Sequence, residues 1–201
     1  MLRKIAASLR SARTGILIIA LTYVCSVTAG AVMAHRDNGY ALSSRDAIVA
    51  RAHRVDPSAR ADDTGAHGRA AAIDFSRNLF LAAVPETIGG MTLVLPVGLA
   101  AYRGWVGGIV SVDGRHRSRL RTPREAVYYL VTLLVQLTAF TLAGGAGIHL
   151  GWSLLHHRGP FIGPAWFRVP KPAVVDAARI YLLVVPLFAA GSLWEFVSFL
   201  R

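Results

Sequence analysis

Two acids stand where acids are costly: Glu86 inside the apolar stretch 78–102, and Glu195 inside 180–200. Each stretch can cross a bilayer, which takes about 20 apolar residues. A carboxylate at that depth costs a few kcal/mol on insertion scales, so it faces protein or a wet cavity. Glu86 follows Pro85, which frees a carbonyl one turn earlier and kinks its helix. It fits a proton or cation site, or an ion pair with an arginine such as Arg77 or Arg103. The plainer alternative is a carboxyl that snorkels or stays protonated. Glu195 has the same options, with Arg201 and the headgroups near enough to solvate it. Gln136, inside 126–155, is the third intramembrane polar candidate.

Other chemistry is weaker. His149 and His156 share a helix face, but a metal site needs three or four compact ligands. No acid lies between His149 and His157, so these are read as interface histidines and no metal is expected. Gly151-Trp152-Ser153 lacks the second glycine of the hydrolase elbow. Ser153 and His149 sit on one helix, where an intramembrane serine protease needs them on two. No phosphate or dinucleotide fingerprint is present. The chain is therefore expected to have no catalytic residues, no cofactor and no energy-coupling domain of its own.

The elements that hold these residues are membrane helices. The chain has 201 residues, 54% of them hydrophobic and 16% charged, with mean hydropathy +0.46. Soluble domains of this size seldom combine those values. Formal charge is +11, from 22 basic and 11 acidic residues. The bases form short blocks beside apolar segments, which marks topology and lipid contact rather than nucleic-acid binding. The single Cys25 excludes an internal disulfide and a cysteine zinc site.

Residues 1–13 are a basic head expected in the cytoplasm, with Arg3, Lys4, Arg10 and Arg13. Residues 14–34 are expected as the first transmembrane helix. The rival reading is a signal peptide cleaved after Val32-Met33-Ala34, but the run exceeds the usual h-region of about 7–15 residues. Residues 35–75 balance six arginines against six aspartates and read as a polar extracytoplasmic loop. A short helix at 47–52 after Ser43-Ser44 and a turn at Asp62-Asp63-Thr64-Gly65 are expected there.

Residues 76–201 are expected as the helical membrane core. The apolar region 75–112 is broken by Pro85, Gly89-Gly90, Pro96, Gly98 and Tyr102-Arg103-Gly104. It is expected to make a single pass. Its tail 105–112 either extends a tilted helix or forms a re-entrant half-span. Residues 113–125 carry Arg115, Arg117, Arg119, Arg121 and Arg124, and the positive-inside rule places them in the cytoplasm. They read as a topology signal or as a partner- or lipid-binding loop. Spans at 126–155 and 180–200 follow, joined by a proline-rich loop with Trp166 and Phe167 as interface anchors. About four spans result, with room for re-entrant half-spans and with both termini cytoplasmic. Small residues recur four apart at Ala143, Gly147 and Gly151, making one helix face for packing, with hinge or cavity-lining use as alternatives.

The glycine run at 143–148 and its flanks resemble the stage II sporulation protein M family. Members carry a Glu-Leu-Pro-Ala stretch ahead of such a run and a Glu near the end of a last apolar helix. Here the first element reads Gln136-Leu137-Thr138-Ala139. The last contains Gly191-Ser192-Leu193-Trp194-Glu195-Phe196. Asn78, Gly89-Gly90, Arg103-Gly104 and Gly107-Gly108 are similar too. The resemblance spans residues 75–200 and a first span in the expected place. Gln136 replaces the family's Glu, Thr138 its Pro, and Thr132-Leu133 its His-Gly.

The resemblance implies an all-α polytopic helical bundle in the cytoplasmic membrane. It also implies a non-enzymatic scaffold or assembly role, since the family's best-known member acts with peptidoglycan-degrading proteins. Expected partners are membrane lipids and envelope proteins, with self-association open to the glycine faces and no nucleic acid. The competing reading is a permease-like transporter subunit energised by a separate ATPase chain. An intramembrane hydrolase built on Ser153 and His149 is a third.

Overall fold

The computed structural model describes residues 1–156, 160–163 and 168–198. Trp166, Phe167, His157 and Arg201 lie outside the described residues. The fold is all-α with one two-stranded hairpin, β1 (Phe161–Ile162) and β2 (Val169–Pro170). Among the described residues three helices are long and apolar enough to cross a membrane: α2 (Arg13–His35), α8 (Pro123–His156) and α9 (Lys171–Val197). They expose large apolar side chains outward, among them Leu21, Leu134 and Leu193. The short helix α1 (Leu2–Ser11) lies against the start of α9, where Ser8 Oγ donates to Asp176 Oδ1 at 2.6 Å.

The expected fourth span is replaced by a helical hairpin. Its first leg runs through α5 (His67–Ser76), a π-helical stretch (Arg77–Ala83) and α6 (Val84–Gly89). Pro85 explains the widened turn: its ring crowds the carbonyl four residues back, and a π stretch moves that carbonyl aside. A 3₁₀ turn (Gly90–Thr92) then reverses the chain, with Leu93 in the left-handed region at φ 63°. Thr92 Oγ1 accepts from Leu95 N at 3.2 Å and so starts the return leg, α7 (Leu95–Ile109). The reversal sits on α8, because Gly90 meets the backbone of Gly147 too closely for any side chain on either. Residues 105–109 simply continue α7, and residues 126–155 lie within the unbroken α8.

These contacts set the ends of the bundle. Gly108 of α7 packs on Val27 and Gly30 of α2, and Gly104 on Tyr23 and Ser26, so the two helices run parallel. Gly15 of α2 packs on Gly145 and Ile148, so α8 runs antiparallel. One end, here the head end, holds α1, the 90–94 reversal and the start of α9. The other, the cap end, holds α3 (Gly39–Val55), α4 (Pro57–Asp63), residues 110–122 and the end of α9. Trp194 Nε1 donates to the Tyr128 carbonyl at 3.3 Å, which fixes the end of α9 beside the start of α8.

Three expectations are corrected by this geometry. The basic segment 113–125 starts at the same end as residues 35–66, not the opposite one, because 75–112 goes in and comes back. The end of α9 lies at the other end of the bundle from α1, so the expectation of both termini on one side fails. The segment 35–75 is also not a loop with one short helix. Asn38 Oδ1 accepts from Ala41 N at 3.1 Å and starts α3 well before Ser43-Ser44. Asp56 caps α4 in the same way, and the turn at 62–65 forms with Gly65 at φ 77°.

Candidate functional site

Glu86 is completely buried, and one of its oxygens pairs with Arg103 Nη1 across the hairpin. The partner is Arg103, then, rather than Arg77, which pairs with Asp56 at the cap end. The reversal at 90–94 brings residues 86 and 103 level. Arg103 also lies over the Phe140 ring, 4.1 Å from its centroid. This cation–π contact compensates part of the guanidinium's lost hydration. The other Glu86 oxygen, Oε1, has no hydrogen-bond partner among the described residues and faces Gly144. A Cβ at Gly144 would come within 2.8 Å of it. Tyr23 of α2 stands beside the pair.

The other two candidates meet directly. Gln136 Nε2 of α8 donates to Glu195 Oε2 of α9 at 2.5 Å. Tyr128 Oη donates to the Glu195 carbonyl at 2.7 Å. Nearby, Asp74 accepts from Ser192 Oγ at 2.7 Å and Asn78 Nδ2 at 2.9 Å. The three polar candidates thus form two clusters rather than one constellation. Between them a half-open cavity of about 600 Å³ is lined by Arg103, Gln136 and Glu195, with Asn78, Arg119 and Tyr128. A second groove of about 530 Å³ lies between α2 and α8 and is almost wholly apolar.

The packing face reads as the spacing suggests, against a partner the sequence does not name. Thr87 Oγ1 donates to the Ala143 carbonyl at 2.9 Å and lies 2.7 Å from Tyr181 Oη. Gly147 lies under Thr87 and Gly90, and Gly151 under Gly90 and Met91. The small residues of α8 therefore receive the hairpin's turn.

At the cap end the basic segment is built into the surface. Asp113 Oδ1 accepts the backbone N–H groups of Arg117 (2.9 Å) and Arg115 (2.8 Å). Those bonds, the Arg117 one foremost, hold its carboxyl down at about 2. His116 Nε2 and Asp46 Oδ2 lie 2.9 Å apart, and His35 Nε2 lies 2.9 Å from Ser118 Oγ. Asp46 also accepts from buried Arg45 at 2.8 Å, and that bond, then the His116 one, keeps its carboxyl below the ordinary carboxylate value. Of the five arginines, Arg119 reaches inward to the cavity. Arg115 and Arg121 are exposed.

Sequence reading missed Asp74, Ser192 and Tyr23, whose polar atoms carry no spacing signal of their own. It also missed the use of His149, whose Nε2 lies 3.5 Å from Asp176 Oδ2 at the head end. His156 Nδ1 instead contacts the Trp152 carbonyl of its own helix at 3.0 Å. Among the described residues no group of three or more metal-binding side chains comes together.

Long helices with outward-facing leucines around a buried ion pair define a helical integral membrane protein. A family model described as Stage II sporulation protein M matches residues 18–198, and the chain belongs to that family. No curated protein and no solved structure matches it.

Proposed function

We propose that the protein is a non-enzymatic scaffold of the cytoplasmic membrane that recruits envelope or cell-wall-remodelling partners through its cap. The observation carrying this reading is the joining of two separate segments, 35–66 and 110–122, into one folded surface by the His116–Asp46 and His35–Ser118 contacts. A passive topology signal has no need of that construction. The surface presents charge of both signs, with Arg115 and Arg121 exposed. Family membership is consistent with the reading.

The positive-inside rule favours both the head, with four bases and no acid, and the block 113–125, which lie at opposite ends of the bundle; we place the head in the cytoplasm. The cap then faces outward, toward the envelope. Crosslinked capture of the native-level protein from its own membranes, read by mass spectrometry, tests this. Envelope proteins are expected at fixed stoichiometry, and are expected to be lost with Arg115→Ser/Arg121→Ser. Capture of a cytoplasmic ATPase in their place would overturn the scaffold reading, as would a cap variant that keeps every partner.

A further inference from the structure

The cavity's charges are not consumed by their own contacts. Arg103 is balanced by Glu86 behind it. Arg119, by contrast, has no acid partner among the described residues; its Nε reaches only the Val112 carbonyl, at 3.5 Å. Glu195 is held through one oxygen by an amide, which brings no counter-charge. Among the described residues the cavity thus has a guanidinium with no acid partner, Arg119, and a carboxyl with no basic one, Glu195. Tyr128, whose hydroxyl bonds the Glu195 carbonyl, stands between them. Val106, Leu133 and Phe140 add apolar lining.

Volume and lining suit a small ligand, since such sites span roughly 300–1,000 Å³ and are mostly apolar with a few placed polar groups. The charges select among ligands. A bare anion would satisfy Arg119 but sit against Glu195. A bare cation would do the reverse. A molecule with both charges meets each wall with its opposite, which is what a poorly hydrated site requires of buried charge. The Glu195 side offers acceptors: Glu195, and the side-chain carbonyls of Gln136 and Asn78, whose amide nitrogens are already donating. Several acceptors at one point suit a primary ammonium, which has three N–H donors, better than a quaternary one, which has none.

We propose that this cavity binds a primary-ammonium zwitterion, with its anionic group on Arg119 and its ammonium on Glu195 and Gln136. An aminophospholipid headgroup or a free amino-acid-like solute would supply that chemistry. The site does not rest on the scaffold reading, and failure of partner capture leaves it standing.

The test uses purified full-length protein in detergent. Native mass spectrometry follows retention of phosphatidylethanolamine, phosphatidylglycerol and phosphatidylcholine. Calorimetry follows phosphoethanolamine and leucine as soluble probes. Preferential retention of phosphatidylethanolamine assigns a lipid, and binding of a soluble probe alone assigns a solute. Arg119→Gln and Glu195→Gln should each weaken binding about tenfold or more, the usual cost of a lost charge-assisted hydrogen bond. Val106→Phe fills the cavity without touching a polar contact and should abolish binding. If Glu195→Gln does not fold, Arg119→Gln and Val106→Phe carry the test. Equal retention of all three lipids with no soluble-probe binding would overturn the proposal. So would Val106→Phe or Arg119→Gln binding like wild type.

Discussion

The Glu86–Arg103 pair and the Asp46–His116 pair join the same kinds of group in opposite surroundings. The first is held between helices with its carboxylate fully buried; the second lies at the cap with both side chains more than a third exposed. In a medium of low dielectric, losing one partner strands the other without water. At an exposed surface, water and salt take over the lost contact. The membrane pair therefore carries a large penalty for being broken, and the cap pair a small one. That division suits a rigid bundle supporting a surface that can adjust to partners.

The comparison breaks first at Glu86. Glu86→Gln should cost about 3–5 kcal/mol, the range for uncoupling a buried pair. For a chain of this size that lowers the melting midpoint by about 10 °C or more. The double change Glu86→Leu/Arg103→Met should recover most of the loss, because an apolar replacement strands no charge. A single variant as stable as wild type in detergent melting would mean the pair is solvated.

The next effect is steric. Gly147→Leu drives a side chain into Thr87, whose carbonyl would lie 2.9 Å from the new Cβ. Overpacking of this kind costs about 1–3 kcal/mol. Gly98→Ala in α7 is its control, since nothing lies within 4 Å of that site. It should be neutral or gain up to about 1 kcal/mol of helix propensity. Equal behaviour of the two in the same melting assay would dissolve the distinction between the packed and open faces.

His116→Ala should cost less than about 1 kcal/mol, as exposed pairs do. Hydrogen exchange over 110–122 should nevertheless rise, since Asp46 tethers that segment through His116. The cap also has a pH signature. Asp46 and Asp113 titrate below their ordinary value of 3.8 in the fold, Asp113 at about 2. A lowered folded pKa means stabilisation that is complete above the ordinary value and lost as pH falls through the folded one. Exchange protection of 110–122 should thus hold from neutral pH to about 4 and fall below it, while the bundle stays protected. Protection lost between pH 7 and 5 would assign the cap to other groups.

Much of this was legible in the residues. Apolar length marked α2, α8 and α9, and four-residue spacing marked the face of Ala143, Gly147 and Gly151. Pro85 announced a disturbed helix, and Glu86 had Arg103 among its candidate partners. The hairpin was not legible. An apolar stretch with breaks at Gly89-Gly90 and Pro96 permits either one bent pass or an entry and return. What decides it is tertiary: the fit of Gly90 onto Gly147, and a left-handed Leu93 that local preference opposes. The error then spread. Charge counting places a basic block by sign alone, so a missing reversal set 113–125 at the opposite end from 35–66, which it joins. Asp74 and Ser192 were hidden for the same reason, since their pairing depends on where α9 ends.

The reversal at 90–94 is the central claim, and cysteine crosslinking tests it most directly. In a Cys25→Ser background, Asp46→Cys and His116→Cys should form a disulfide in intact membranes under mild oxidation, and both should react with the same membrane-impermeant maleimide from the same side. Reaction of positions 46 and 116 from opposite sides, with no disulfide, would show that 75–112 crosses once and would contradict the account.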